Sequence, residues 1–545
     1  MHNFATTIPA RLFAMATSFP DEVFLQQRQG ESLKTWTYGD ARKMVEEMRD
    51  DLLRQGFSRG DRIALLSENS REWIVIYFAI IAAGYVAVPL DSGMPLGDLC
   101  NILEASGSRV LFASEKFHAP ICDTLSQRNI MLRVLRTDEI LESSLRDVQI
   151  PELNPADIAV LIYTSGTTGH SKGVALTHDN LLANVESCAL VCEIHQVDNF
   201  LLILPLHHTF ACTVSLLLPM AMGARVTLAT SYRSRDIIDD IRISKTTVLA
   251  AVPQLFDGMM NGILRAVDSA GKPKQILFAL LRLISRAARF FGLKLGHSLF
   301  HSLRKRSGVD TVRLFVSGGA ALPPETNRFF EELGMNLTQG YGMTECSPVL
   351  SVNPATKNKI GSVGPALPGV SLMINAPDGN GVGEVWTAGA NVMQGYYNNS
   401  DATRAIMSGD WLRTGDLGYL DSDGYLFLTG RMKNLIVTHA GKNVYPEEIE
   451  TKLSGDLVIA EALVLAPKRT NREADTLCCL VRPNLEHIAA HHPHDSVDKV
   501  IEHVIRKYNE HVPAYQKIRE WKIVDEFKKT STGKIKRFLY TEEFK

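Results

Sequence analysis

Residues 163–174 read YTSGTTGHSKGV, and this run holds the residue types best suited to chemistry. A Val/Ile-rich stretch, residues 158–163, predicts a strand leading into Thr164, Ser165, Gly166, Thr167, Thr168 and Gly169. Small residues in succession let backbone N–H groups curl around phosphate oxygens. The hydroxyls of Thr164, Ser165, Thr167 and Thr168 add donors, and Lys172 adds a positive charge. The spacing is not that of a Walker loop, because His170 and Ser171 separate Gly169 from Lys172. Taken alone, the run also fits an ordinary flexible turn. His207 and His208 sit side by side in ILPLHHTF; a hydrogen-bonded core pair is one reading of them. A metal role is not expected, since no third ligand is apparent. His487, His491, His492 and His494 read as a polar loop, and Cys188 and Cys192 lack partners for zinc.

The elements that must carry such a loop read as α/β. Short Val/Ile/Leu runs at residues 63–66, 158–163, 201–204, 225–228, 248–252 and 312–316 alternate with helical patterns, which predicts parallel sheets. Residues 73–90 (WIVIYFAIIAAGYVAVPL) imitate a membrane span in composition, but Gly84 interrupts them. A buried helix followed by a buried strand, ending at Pro89, is expected instead. The apolar run 200–222 contains Pro205, His207, His208 and Pro219, which disfavours a lipid-exposed helix. From about residue 363 to 430 the pattern shifts to short strands punctuated by glycine, a small β-rich subdomain. Strands at 462–466 and 477–481 lie between helices in a last unit. The expected organisation is an N-terminal domain over 1–430 and a smaller α+β domain over 431–545.

Composition sets the outer bounds. The chain has 545 residues, 45% hydrophobic and 22% charged, which is ordinary globular usage and excludes a disordered or fibrous chain. Lys plus Arg is 58 against 60 for Asp plus Glu, a net charge of -2, so bulk nucleic-acid binding is not expected. Eight cysteines without a CxxC pair argue against a disulfide framework. The first residues lack a signal-peptide pattern and read as a helix, so a cytoplasmic address is expected. Residues 264–307 stand apart: ten Lys and Arg face one acidic residue, Asp268, with apolar residues between them. This basic amphipathic insertion reads as a solvated helical insertion packed on the core or as a contact surface for anionic lipid, with nucleic acid a third reading.

Further runs, in order, make the chain resemble the AMP-forming adenylating enzymes: acyl-CoA synthetases, luciferases and peptide-synthetase adenylation domains. TSGTTG-x-P-K-G is that family's phosphate loop, here with Ser171 where proline is usual. The others are Ser317-Gly318-Gly319-Ala320-Ala321, QGYGMTE (339–345), LRTGDLG (412–418), TGRMK (429–433), THAGKNVYPEEIE (438–450) and TSTGKIKR (530–537). The resemblance implies that Gly318, Gly319 and Ala320 let adenine lie against backbone. It places Gly340, Tyr341 and Gly342 at the nucleotide, with Tyr341 on the adenine face. Thr344 is implied at the α-phosphate and Glu345 at Mg²⁺, for which a carboxylate is a suitable hard ligand. Asp416 would bind ribose, since a carboxylate accepts from both vicinal hydroxyls. Arg431 would contact ribose or phosphate, Lys433 would be the hinge of a mobile C-terminal domain, and the Gly441 loop would approach the pantetheine arm. Lys534 would be the catalytic lysine, and His208 would sit at the mouth of the acyl pocket.

Within that family the nearest resemblance is to bacterial long-chain fatty acyl-CoA synthetases, through LPLHHTF, the basic insertion, QGYGMTECSPV and GRMKNLIVTHAGKNVYPEEIE. ATP, Mg²⁺ and coenzyme A are the implied cofactors and co-substrates, and a medium- to long-chain fatty acid the implied acid. An acyl-carrier protein is the alternative acceptor; an enzyme that stops at the adenylate is another alternative. A non-catalytic fatty-acid-binding scaffold would predict loss of nucleotide residues, yet Lys172, Glu345, Asp416, Arg431 and Lys534 are all present.

Overall fold

The computed structural model describes residues 6–138, 149–164, 171–438, 442–466, 477–529, 535–540 and 542–544. Two large sheets dominate the N-terminal part. One is eight-stranded, in the order Val349–Val352, Leu337–Gly342, Leu314–Ser317, Val248–Ala251, Asn199–Leu202, Arg225–Leu228, Val23–Gln29 and Ser32–Thr37. Its inner pairs are parallel and its two edges antiparallel. The other is seven-stranded, in the order Gly395–Tyr396, Lys172–Thr177, Ile158–Thr164, Val86–Pro89, Arg62–Leu66, Val110–Ala113 and Arg133–Arg136. The α/β expectation therefore holds, and the expected strand at 225–228 is found as Arg225–Leu228.

Residues 73–90 form the expected buried helix and strand. The helix Arg71–Ala82 is buried on every side from Trp73 to Ala82, and Val86–Pro89 is a fully buried parallel strand. A helix apolar all round belongs inside a core, and one core here draws side chains from both large sheets. Among the described residues no helix is long and apolar enough to cross a membrane. The run 200–222 is likewise internal: the strand Asn199–Leu202 passes through the histidine pair into helical turns over Thr209–Cys212, Thr213–Leu217 and Leu218–Ala221, all largely buried.

A third sheet, five-stranded and antiparallel, joins Val370–Asn375, Gly383–Gly389, Met407–Ser408, Trp411–Leu420 and Leu426–Arg431. The C-terminal part is smaller. Ile459–Leu465, Leu477–Pro483 and Ile518–Ile523 form a sheet that packs with the helices Pro446–Ser454 and Val497–Glu510.

The basic insertion holds two longer helices, Pro253–Asp268 and Lys272–Phe290, then short turns Gly296–Leu299 and His301–Arg306. Its arginines pair with groups in the body of the large domain. Arg282 Nε and Arg286 Nη2 approach the Glu332 carboxylate at 2.7 and 2.5 Å, and Arg289 reaches Glu331 at 2.7 Å. Arg304 is buried and donates to the carbonyls of Leu333 and His297 at 2.9 and 2.6 Å. These four cations hold the insertion to the helix Pro324–Glu332 and the turn after it. The carboxylate that pairs with Arg282 and Arg286 lies about fifty residues further along the chain, where local charge counting does not look.

Candidate active site

The strands on either side of the phosphate run pair with each other. Ile158–Thr164 pairs antiparallel with Lys172–Thr177, and Thr164 faces Lys172 across the base. A return strand, rather than a helix, follows the loop, which is why a Walker spacing is absent. Ser165, Gly166, Thr167, Thr168 and Gly169 lie outside the described residues. At the base Gly173 is held small by Tyr163, since a Cβ there would come within 2.9 Å of that ring.

Lys172 points its ammonium at the ring of Tyr396, 5.0 Å from the centroid. Tyr396 comes from the strand Gly395–Tyr396 on the other side of Lys172–Thr177. Its hydroxyl donates to Glu345 Oε1 at 2.7 Å. Burial, then the adjacent carboxylate, pushes the Tyr396 phenol far above its ordinary range, so it stays a neutral donor. Glu345 is 9% exposed and sits in the turn Thr344–Cys346, whose carbonyls are tied down by Met393 N–H and Asn391 Nδ2. A cation, an aromatic ring and an acceptor carboxylate thus stand in line. An oriented carboxylate beside a fixed ammonium has the donor chemistry for a phosphate-bound Mg²⁺, and Glu345 fits that group. Tyr396 was not legible as a site residue, because nothing in GYY spacing reports a partner fifty-one residues earlier.

Four residues before Glu345, Tyr341 donates its hydroxyl to Asp416 Oδ2 at 2.6 Å. Asp416 pairs opposite Arg431 in the antiparallel ladder, and Arg431 Nε lies 2.9 Å from Asp416 Oδ1. Asp416 is nearly buried, and each of its oxygens keeps a further lone pair for a ribose hydroxyl. Burial and the neighbouring Asp416 carboxylate hold the Tyr341 phenol well above its usual value. Lys433, in the short turn Met432–Asn434, has its ammonium pKa lowered by desolvation and then by Arg431.

The turn after Leu314–Ser317 presents Gly318, Gly319 and Ala320. Gly319 is left-handed at φ +82°, and a Cβ on Gly318 would meet the Phe210 ring at 2.6 Å. Ser317 Oγ is buried without a hydrogen-bond partner, the kind of orphan that a bound polar group satisfies. Gly340 and Gly342 lie on the strand Leu337–Gly342. At Gly342 the chain itself demands glycine, since a Cβ would sit 1.9 Å from the Pro348 carbonyl.

His207 is buried and His208 half-buried, their rings 4.2 Å apart. His207 Nε2 lies 3.2 Å from Asp91 Oδ1, and Asp91, His207 and His208 present donor atoms within 4.8 Å of one another. The third neighbour that the sequence did not offer is therefore Asp91. Asn69 fixes this loop, accepting from Leu206 N–H and donating to the Leu204 carbonyl at 2.9 and 2.8 Å.

Lys534 and Gly441 lie outside the described residues, but their flanks are placed. Lys529 bridges Ile535 antiparallel, and Lys529 Nζ reaches Glu461 at 2.7 Å. Arg537 clamps Glu450 through Nη2 at 2.7 Å and donates to the Val464 carbonyl at 2.6 Å. Thr438 and Lys442 are tied to each other: Thr438 N–H donates to the Lys442 carbonyl at 2.9 Å, and Lys442 N–H to Thr438 Oγ1 at 3.0 Å.

Comparison with known proteins places this geometry. Residues 12–397 match the family model described as AMP-binding enzyme, and residues 433–545 match the AMP-binding enzyme C-terminal domain. A long-chain-fatty-acid–CoA ligase of Mycobacterium bovis, FadD15, is 30% identical over 485 residues, covering 84% of this chain and 80% of that one. Among solved structures, ATP-bound MatB of Rhodopseudomonas palustris superposes with a TM-score of 0.80 at 23% identity, covering 99% of this chain and 100% of the other. The anthranilate CoA ligase AuaEII, in complex with anthranoyl-AMP, gives 0.81 at 21% identity, covering 99% and 97%. At that identity these two report the fold.

Proposed function

The chain belongs to the AMP-binding enzyme family as an adenylating CoA ligase served by ATP, Mg²⁺ and CoA, and on that premise we propose that its acid is a medium- to long-chain fatty acid. The observation that supports this choice is the 30% identity to a long-chain-fatty-acid–CoA ligase across 84% of the chain. In the first half-reaction a carboxylate oxygen of the acid attacks the α-phosphorus of ATP, and the bond to pyrophosphate breaks. Charge grows on the phosphoryl oxygens, so fixed positive charge and donors aimed there lower the barrier. Lys172, the loop hydroxyls from Thr164 onward, Thr344 and Lys534 are the groups assigned to that task. Mg²⁺, held through Glu345, would neutralise phosphate charge. Asp416 and Tyr341 would hold the nucleoside end, from the strands Trp411–Leu420 and Leu337–Gly342, while Thr344 and Glu345 in the turn after the latter would serve the phosphates. The product is an acyl adenylate, and no general base is needed to form it.

In the second half-reaction the CoA thiol attacks the acyl carbonyl and AMP leaves. We assign the change of task to rotation of the smaller unit, 431–545, about Lys433, withdrawing Lys534 and advancing the Gly441 loop. The test is pyrophosphate release with ATP and Mg²⁺ over a panel of carboxylic acids, with and without CoA. Release strongest with straight-chain fatty acids, with acyl-CoA and AMP as products, is expected. Preference for an aryl or a short dicarboxylic acid would overturn the substrate assignment and leave the ligase chemistry standing.

A further inference from the structure

The insertion helix Lys272–Phe290 is apolar on two sides. Phe278 and Leu281 pack against the core beside Arg282, Arg286 and Arg289, which pair with Glu331 and Glu332, and a second apolar set turns to solvent. Ile276, Leu277, Leu280, Leu283, Ile284 and Phe290 are exposed, from 41% at Ile284 to 87% at Phe290. Their spacing of i, i+4 and i+7 puts them on one side of the helix. The band continues through Phe291 and Leu293, which are also exposed. Nineteen residues of helix make a ridge about 28 Å long. A contiguous apolar band of that size on a water-facing surface marks an interaction site.

The charges around it narrow the occupant. Lys272 and Lys274 sit exposed at one end of the ridge and Lys294 just past the other, with Lys305 and Arg306 nearby in sequence. No Asp or Glu occurs between Asp268 and Asp310. A second copy docking through the same face would bring these cations against their own counterparts, which is repulsive. A lipid leaflet with anionic headgroups takes both features at once: acyl chains receive the leucine and phenylalanine side chains, and headgroups meet the lysines. Nothing long enough to span is required. We propose that Lys272–Phe290 lies in the interfacial plane of an anionic membrane and seats the enzyme there. The choice of a bilayer draws also on the fatty-acid reading above, since that substrate partitions into the same phase.

The test is co-sedimentation of the full chain with vesicles of phosphatidylcholine containing phosphatidylglycerol, against vesicles of phosphatidylcholine alone. Binding to the anionic vesicles is expected to exceed binding to the neutral ones. The variant Leu280→Ser, Leu283→Ser, Phe290→Ser should lower partition on the order of a hundredfold. Its pyrophosphate release in detergent-free buffer with a short, water-soluble acid should match that of the native chain. Lys272→Ser with Lys274→Ser should cost roughly twenty-fold, about fivefold each, and only on anionic vesicles. In Phe290→Trp the indole emission should shift to the blue on vesicle addition, which reports penetration rather than adsorption. Equal sedimentation of the native chain and the triple-serine variant would overturn the proposal. So would a dimer, seen by analytical ultracentrifugation, that the same variant dissolves while native chain ignores vesicles. Failure of the fatty-acid reading reads out separately, as a different preferred acid with vesicle binding retained.

Discussion

Tyr396 holds two opposite charges in register. Its ring faces the Lys172 ammonium and its hydroxyl donates to Glu345. Tyr396→Phe keeps the ring and removes the donor; hydrogen bonds to charged groups contribute about 1.5–3 kcal/mol. We expect roughly ten- to a hundredfold weaker dependence on Mg²⁺, measured as the Mg²⁺ concentration giving half-maximal pyrophosphate release. An unchanged Mg²⁺ profile would show that Glu345 is not oriented through Tyr396. Lys534→Ala separates the half-reactions. Adenylate formation should fall by about 10²–10³-fold, the usual loss for one preorganised charge-stabilising group. Thioester formation from supplied acyl adenylate should be nearly intact, and equal loss of both would contradict the assignment of Lys534 to the first step alone. The residues in these runs were legible through the resemblance to the adenylating family; by type alone Glu345 and Lys534 read as solvated surface side chains. The partners were not. Tyr396, Asp91 and the Arg431–Asp416 pair depend on strands that meet only after folding.

At the scale of elements, the opening helix Ile8–Ser18 is tied to the rest through a buried histidine. The His178 ring nitrogen Nδ1 accepts from Ile8 N–H at 3.4 Å, and burial lowers its pKa to about 4. Nδ1 can accept only in the neutral ring. The folded state therefore binds a proton less readily than the unfolded chain, whose histidine titrates near 6.5. Stability from this group is full above about pH 6.5 and declines as pH falls toward 4, by at most about 3 kcal/mol. Chemical denaturation at several pH values should show that decline, and His178→Asn should flatten it; a native chain equally stable across the window would contradict the buried neutral ring. A second element-level prediction concerns the insertion. Replacing both Arg282 and Arg286 by methionine leaves Glu332 buried and unpaired, a loss of about 3–5 kcal/mol, the lower end applying because Arg286 is half-exposed. Leu280→Ser and Leu283→Ser on the opposite side should leave stability within about 0.5 kcal/mol. Thermal melts of the two variants test this contrast. Sequence patterning found the insertion as a basic amphipathic helix or helix pair but not the carboxylates that its arginines meet. Arg282, Arg286 and Arg289 looked solvent-bound until Glu331 and Glu332 were placed against them. The internal strands were easier, because Val86–Pro89 and Val248–Ala251 are apolar on both faces and bounded by helices.

At the scale of the whole molecule, two polar contacts between the larger and smaller parts stand out among the described residues. Arg265 and Glu486 form an exposed pair at 3.2 Å, and Tyr445 reaches Asp378 at 3.4 Å. An exposed pair adds little stability, so the rotation we propose would sacrifice little by breaking that one. Within the smaller part the Arg537–Glu450 and Lys529–Glu461 pairs hold the described residues on either side of 530–534. Lys433→Pro should leave a first burst of pyrophosphate and slow CoA-dependent turnover by about tenfold or more; quenched-flow measurement of both phases tests it, and an unchanged turnover would place the pivot elsewhere.

The central claim is passage through an acyl adenylate, and isotope transfer reads it most directly. With the acid labelled by ¹⁸O in both carboxylate oxygens, one turnover with ATP and CoA should deliver one ¹⁸O to the phosphate of AMP, one to the acyl-CoA carbonyl, and none to pyrophosphate. Label in inorganic phosphate with ADP as the nucleotide product would mean an acyl phosphate intermediate, and would contradict the account.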